Sequence, residues 1–234
     1  MKPAVIFDVD GTLVSLVFDA KKTRLELIEV LASMGFDTAG LSDTTTTRTI
    51  MEAARTQSGS GSVPHDYLSV RKLLYDILDE SEVRTAPLAK TLPGARDTLE
   101  LLKRNSVRLA ALTNSGRRAA LDVLGRADMS HFFEFILTRD DVEALKPDPR
   151  GLIKALSLLS LARGDVVYVG DSLMDIATAK GAGVGVIAVS TGIYSEERLR
   201  QDGPDHVIGS LSDVPAILGI TDGHEESIKA PGPR

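Results

Sequence analysis

The chain has 234 residues, a formal net charge of −6, 43% hydrophobic and 26% charged residues, and no cysteine. That is enough apolar material for a sizeable core, and the missing cysteine excludes disulfides, thiolate catalysis and zinc–sulfur sites. A net negative chain without clustered Lys and Arg is not built as a general nucleic-acid binder, although a few placed cations still suit a phosphate ester.

Lys2 is followed by a short apolar run that meets Asp8 and Asp10 at once, so no signal-peptide core is expected. No apolar stretch approaches the roughly 20 residues needed to cross a bilayer. A cytoplasmic protein with no membrane partner is the expectation.

In chain order, Ala4–Phe7 is a continuous apolar run that reads as a strand buried on both faces. Residues 15–86 contain no such run and read as a helical insertion. Leu27, Ile28, Leu31 and Met34 form one amphipathic face ended by Gly35, and Val70, Leu73, Leu74, Ile77 and Leu78 form another. Between them lie the polar tract Ser42–Thr47, a helix over Thr49–Arg55 and a flexible stretch, Ser58–Ser62. Pro87 and the turn Leu92-Pro93-Gly94 mark the return to alternating elements. Further buried-strand runs fall at Val107–Leu112, Phe133–Leu137, Val166–Val169 and Val184–Val189. Helical spacing separates them, as in Leu99/Leu102 and in Leu152, Ile153, Leu156 and Leu159.

This alternation predicts an α/β fold, a doubly wound parallel sheet of Rossmann-like type, with an inserted helical cap domain. The core is expected over 1–14 and 87–220, the cap over 15–86, and a polar, disordered tail over 221–234. No internal repeat is visible.

Asp8-Val9-Asp10-Gly11-Thr12 follows the first strand directly. Loops at the carboxyl ends of parallel strands form the ligand crevice. Two carboxylates two residues apart suit a hard metal ion and acid–base work, while an Asp-Gly pair after a strand also serves as a plain turn. A calcium loop is excluded, because aligning Gly11 with the obligatory glycine leaves Ile6 and Val17 at the first and last ligand positions.

A second acidic pair, Asp171 and Asp175 in Gly170-Asp171-Ser172-Leu173-Met174-Asp175, again follows a buried strand, with Ser172 placed to cap the next helix. Thr113-Asn114-Ser115-Gly116 offers hydroxyls, an amide and backbone N–H groups at a helix start, which suits an anion or simply caps the helix. Lys146-Pro147-Asp148-Pro149 holds one ammonium on a stiff loop. Gly181–Gly185 resembles a dinucleotide loop but follows a helix and precedes a strand, the reverse of that fingerprint. His65, His131, His206 and His224 are scattered, without metal-ligand spacing.

Asp-x-Asp-Gly-Thr, then Thr-Asn, then Lys-Pro, then Gly-Asp-Ser-x-x-Asp, in that order and at strand ends, resembles the four motifs of the haloacid dehalogenase superfamily. The Leu92-Pro93-Gly94 turn and the placement of the insertion are similar to its capped phosphatases of phosphoglycolate phosphatase type. The resemblance implies Asp8 as nucleophile and Asp10 as acid–base. It further implies Mg²⁺ on the Asp8 carboxylate, the Asp10 carbonyl and Asp171, with Asp175 in support. Thr113, Asn114 and Lys146 would hold the phosphoryl oxygens.

The implied activity is hydrolysis of a small phosphate monoester, with phosphoglycolate the leading candidate. The alternatives are a phosphomutase, which in this superfamily usually carries another residue at the Thr12 position, dehalogenation, or a non-catalytic phosphate-binding module. The implied partner is a small phosphorylated metabolite, and the chain a monomer or homodimer.

Overall fold

A computed structural model describes residues 4–15 and 18–220. Lys2 and the tail 221–234 lie outside the described residues. Six strands, β1 (Ala4–Phe7), β2 (Arg108–Leu112), β3 (Ile136–Leu137), β4 (Val166–Gly170), β5 (Gly185–Val189) and β6 (His206–Ile208), form one sheet in the order β3-β2-β1-β4-β5-β6. Every pairing is parallel.

The helices are α1 (Ala20–Ser33), α2 (Thr47–Gly59), α3 (Tyr67–Thr85), α4 (Ala95–Arg104), α5 (Arg117–Arg126), α6 (Arg150–Leu159), α7 (Leu173–Ala182), α8 (Glu196–Gln201) and α9 (Val214–Ile217). Alternate strand residues feed opposite faces. Val5 and Phe7 pack with Leu99 and Leu102 of α4 and Leu124 of α5. Ala4 and Ile6 pack with Leu152 and Leu156 of α6 and Ile176 of α7. With both faces covered, the strands must be apolar throughout, which is why β1 reads as an unbroken run.

The insertion has its own apolar centre. Leu27 and Leu31 of α1, Ile50 and Ala54 of α2, and Val70, Leu74 and Leu78 of α3 form a cluster separate from the two sheet faces. α1 begins on Asp19, whose side chain accepts the Lys22 N–H, and α3 begins on Asp66 in the same way with Ser69. The buried hydroxyls of Thr23 and Ser81, 2.7 Å apart, join α1 to α3.

Two expectations need correction, and one strand was not expected. The strand expected over Phe133–Leu137 is reduced to Ile136–Leu137, because this edge strand pairs only with β2 and its earlier residues make isolated bonds, such as Glu134 N–H to Leu109 C=O at 2.8 Å. The second helix of the insertion extends well beyond Thr49–Arg55 and absorbs Ser58 and Gly59 from the stretch read as flexible. β6, three residues long, was too short to carry a pattern. Among the described residues no helix is long and apolar enough to cross a membrane.

Candidate active site

The sheet order places β1 between β2 and β4, so the loops leaving these three strands open on one crevice. Phe7 pairs with Ala111 and with Val169, which sets Asp8, Thr113 and Asp171 near one level at the strand ends. The Asp8 N–H still donates to the Val169 carbonyl, at 2.8 Å, so the chain leaves the sheet only after Asp8. The turn that follows needs Gly11 at φ +85°, and a side chain there would collide with the Asp171 carboxylate.

Lys146 sits at the centre of the crevice floor. Its ammonium donates to Asp8 Oδ1 at 2.6 Å, Asp175 Oδ1 at 2.7 Å and the Tyr168 hydroxyl at 3.2 Å, so its three N–H groups are all engaged. Burial opposes the charge on Lys146, but Asp175 and Asp8 outweigh that penalty and hold its pKa well above the usual lysine range. Burial pushes the Asp8 carboxyl well above its ordinary value. Lys146 pulls it back, while Asp175, Asp171 and Asp10 push further.

Asp175 accepts Lys146 and the Tyr168 hydroxyl (3.0 Å) on Oδ1, and the Ser172 N–H (3.0 Å) and hydroxyl (2.5 Å) on Oδ2. The Asp175 N–H returns a bond to Ser172 Oγ at 3.3 Å, completing the cap on α7. Asp171 accepts the Thr12 hydroxyl at 3.0 Å. Burial, with Asp175 adding to it, raises the Asp171 carboxyl to about 6.

Carboxylate oxygens of Asp8, Asp171 and Asp175 lie within 4.8 Å of one another. Three buried, hard oxygen donors are the ligand chemistry of a cation such as Mg²⁺. Asp175 has both oxygens committed to donors, so Asp8 and Asp171 are the pair left to face an ion. The donor set therefore fits a divalent metal.

Asp10 points elsewhere. Its Oδ2 accepts the Ser115 hydroxyl at 2.6 Å and the Thr113 hydroxyl at 3.1 Å, so the carboxylate lies outside the acidic cluster. The Asn114 side chain grips the Lys146 backbone twice, accepting its N–H at 2.8 Å and donating to its carbonyl at 3.2 Å. The amides at the start of α5, read from the sequence as free for an anion, are partly taken by the protein's own carboxylates. Gly116 N–H goes to Glu82 at 2.8 Å and Arg117 N–H to Asp140 at 2.8 Å.

Sequence reasoning missed Tyr168, Ser115, Glu82 and Arg139. Tyr168 was hidden inside an apolar strand run, Ser115 lies in the Thr113–Gly116 segment but was given no role, and Glu82 and Arg139 lie in segments with no motif of their own. His65 lies in the insertion, stacked on Phe36 at 6.1 Å.

An all-parallel, doubly wound sheet whose strand-end crevice gathers carboxylates, hydroxyls and one buried ammonium defines a Rossmann-like α/β protein with the chemistry for handling an oxyanion. A family model described as haloacid dehalogenase-like hydrolase matches residues 5–189, and the chain belongs to that family. It is 31% identical over 215 residues to phosphoglycolate phosphatase 1 of Pseudomonas aeruginosa, covering 90% of this chain and 77% of that one. Among solved structures, a haloacid dehalogenase-like hydrolase of Bacteroides fragilis superposes with a TM-score of 0.64 at 26% identity, covering 92% of this chain and 100% of that one. A protein of Thermotoga maritima described as a β-phosphoglucomutase superposes at 0.59 and 25% identity, covering 94% and 99%.

Proposed function

We propose that the protein is a Mg²⁺-dependent phosphatase that hydrolyses a small phosphate monoester through an aspartyl-phosphate on Asp8. The observation that carries this reading is the buried Asp8 carboxylate at the end of β1, bonded to Lys146 at 2.6 Å, beside Asp171 and two residues from an Asp10 held by separate hydroxyls. The phosphoglycolate phosphatase relative supports phosphatase activity and makes phosphoglycolate the first substrate to test.

In the first step an Asp8 oxygen attacks phosphorus while the bond to the ester oxygen breaks, and Asp10 gives that oxygen its proton. In the second, Asp10 takes a proton from water as the water oxygen attacks phosphorus. The Asp8–phosphorus bond then breaks, releasing phosphate and restoring the carboxylate. Lys146 favours the ionised form of Asp8, opposing the burial that raises its carboxyl. Of its three contacts, the Tyr168 arm at 3.2 Å is the longest and is the one a phosphoryl oxygen replaces.

Thr113 and Asn114 are assigned with Lys146 to the phosphoryl group. Asn114 has an additional duty in holding Lys146 in place. Mg²⁺ on the Asp8 and Asp171 carboxylates and the Asp10 carbonyl would neutralise charge between two anions that otherwise repel.

The helical insertion is assigned as a cap over the crevice, which favours a small soluble ester over a polymer. A mutase is the second reading, favoured by the Thermotoga neighbour; it would keep water from the phosphoenzyme. A panel of small phosphate esters, assayed for released inorganic phosphate with Mg²⁺ and with excess chelator, separates the readings. Phosphate release that needs Mg²⁺ and vanishes in Asp8→Asn supports the phosphatase, and transfer to a second hydroxyl without release supports the mutase. Full activity in chelator contradicts both.

A further inference from the structure

Arg139 is the largest fully buried side chain among the described residues, yet the mechanism above does not use it. It lies just after β3, and its guanidinium meets Glu82 of α3 through two contacts, Nη1 to Oε1 at 2.5 Å and Nη2 to Oε2 at 3.0 Å. The side chains of Arg139 and Glu82 are only 2% and 10% exposed, so solvent screens the pair little. Burial raises the Glu82 carboxyl, and Arg139 opposes the rise. The ring of Tyr75 covers the guanidinium at 5.1 Å.

Three more hydrogen bonds of the pair converge on three consecutive residues. Arg139 Nη1 donates to the Asn114 carbonyl at 3.2 Å, the Arg139 backbone N–H donates to the Ser115 carbonyl at 3.0 Å, and Glu82 Oε2 accepts the Gly116 N–H at 2.8 Å. Ser115 is thus fixed from both sides by one buried ion pair. Ser115 is also the residue whose hydroxyl donates to Asp10, at 2.6 Å. Its neighbour Gly116 leaves no room for slack. A Cβ there would stand 2.5 Å from Asp79 Oδ1 and 2.7 Å from Arg139 Nη2, although its backbone conformation, φ −66°, is open to any residue.

We infer that Glu82 and Arg139 form a positioning pair that sets Ser115, and through it the Asp10 carboxylate, for proton transfer, so that the cap helix α3 is tied to the acid–base step. The inference rests on the role proposed for Asp10. Its logic separates two classes of substrate. An alkyl phosphate needs its leaving oxygen protonated, whereas an aryl phosphate leaves with little help. Misplacing the proton donor should therefore slow the first class selectively. A displacement of about 1 Å can cost on the order of 10²-fold.

The test compares kcat/KM, which reports the first step and not the shared hydrolysis of the phosphoenzyme, for an alkyl and an aryl phosphate in Glu82→Gln, Arg139→Lys and Gly116→Ala, with Mg²⁺ affinity by calorimetry as a control. Glu82→Gln sets an amide N–H against one arm of the guanidinium. Arg139→Lys keeps the charge but not the fork. Gly116→Ala wedges the pair apart without altering either member. The expected result is an alkyl-ester kcat/KM reduced about 10- to 100-fold in all three, an aryl-ester kcat/KM reduced less than about threefold, and unchanged Mg²⁺ affinity. Equal losses of kcat/KM on both esters, or an Arg139→Lys variant with wild-type alkyl kcat/KM, overturn the inference.

Amide hydrogen exchange gives an arm independent of turnover. The Gly116 N–H should be protected in the wild type and lose protection selectively in Glu82→Gln. Protection equal in both proteins overturns the pair's hold on the loop. A wild type that hydrolyses no ester contradicts the proposed function, while the exchange arm still decides whether the pair sets the loop.

Discussion

Replacing Lys146 with Met tests the electrostatic balance of the crevice while keeping much of the side chain's volume. The ammonium lies 2.6 Å from Asp8 and 2.7 Å from Asp175, with its side chain 5% exposed. At an effective dielectric of about 20, each contact is worth about 6 kcal/mol of Coulomb attraction. Desolvating the ammonium takes back several kcal/mol, and removing one partner of a buried pair costs about 3–5 kcal/mol net. For a chain of this size that is a fall of roughly 6–20 °C in Tm.

The sign of the pH dependence follows from the carboxylates. Without Lys146, Asp8 and Asp171 face the other carboxylates of the crevice with no cation, so their folded-state pKa values, already raised, rise further above the unfolded value of about 3.9. Groups with raised folded values contribute their stability fully below the unfolded pKa and lose it as pH rises. The deficit of Lys146→Met should therefore be small near pH 4, grow toward pH 8, and shrink when Mg²⁺ supplies the missing charge. Thermal melts of both proteins across this range, with and without Mg²⁺, make the measurement. A deficit independent of pH, or one of less than about 1 kcal/mol at pH 8 without metal, would refute the reasoning.

Three further outcomes are expected. Because the Asp171 carboxyl sits near 6 and must ionise to bind a cation, Mg²⁺ affinity should rise roughly tenfold between pH 5 and pH 7, read by calorimetry with proton release. Affinity flat across that interval would remove Asp171 from the ligand set. Gly192→Ala would drive a methyl group into the Asp171 carboxylate and should weaken Mg²⁺ binding by roughly 10–100-fold, a loss checked by titration against the folded variant. Asp10→Asn should lower turnover of alkyl esters by roughly 10²–10⁴-fold and be partly rescued on aryl phosphates in the first step, as measured by burst kinetics.

The sheet was legible because its strands are buried on both faces and so carry unbroken apolar runs; β1 has the bounds read from Ala4–Phe7. The edges were less so. β3 pairs on one side only, and β6 pairs with β5 alone over three residues. The acidic residues were legible because each lies where a readable strand stops, which places Asp8 and Asp171 together without further information.

The supporting residues were not legible, and the reason is geometric. Tyr168 alternates into the apolar layer beneath Lys146 and reads as one more core residue. Glu82 and Arg139 are 57 residues apart and meet only once the insertion folds back onto the loop between β2 and α5. Asn114 was read as facing the phosphoryl group, but a pattern could not show that both ends of its amide would also be needed to hold the Lys146 backbone.

The central claim is that Asp8 makes the bond to phosphorus. Rapid quenching of the Asp10→Asn variant with an aryl phosphate labelled in its phosphoryl group, followed by peptide mapping, tests it most directly. Asp10→Asn retains the nucleophile but lacks the base for the second step, so label should accumulate on the peptide containing Asp8, and none should appear in Asp8→Asn. Label on a Ser, Thr or His, or on any residue of Asp8→Asn, would contradict the claim.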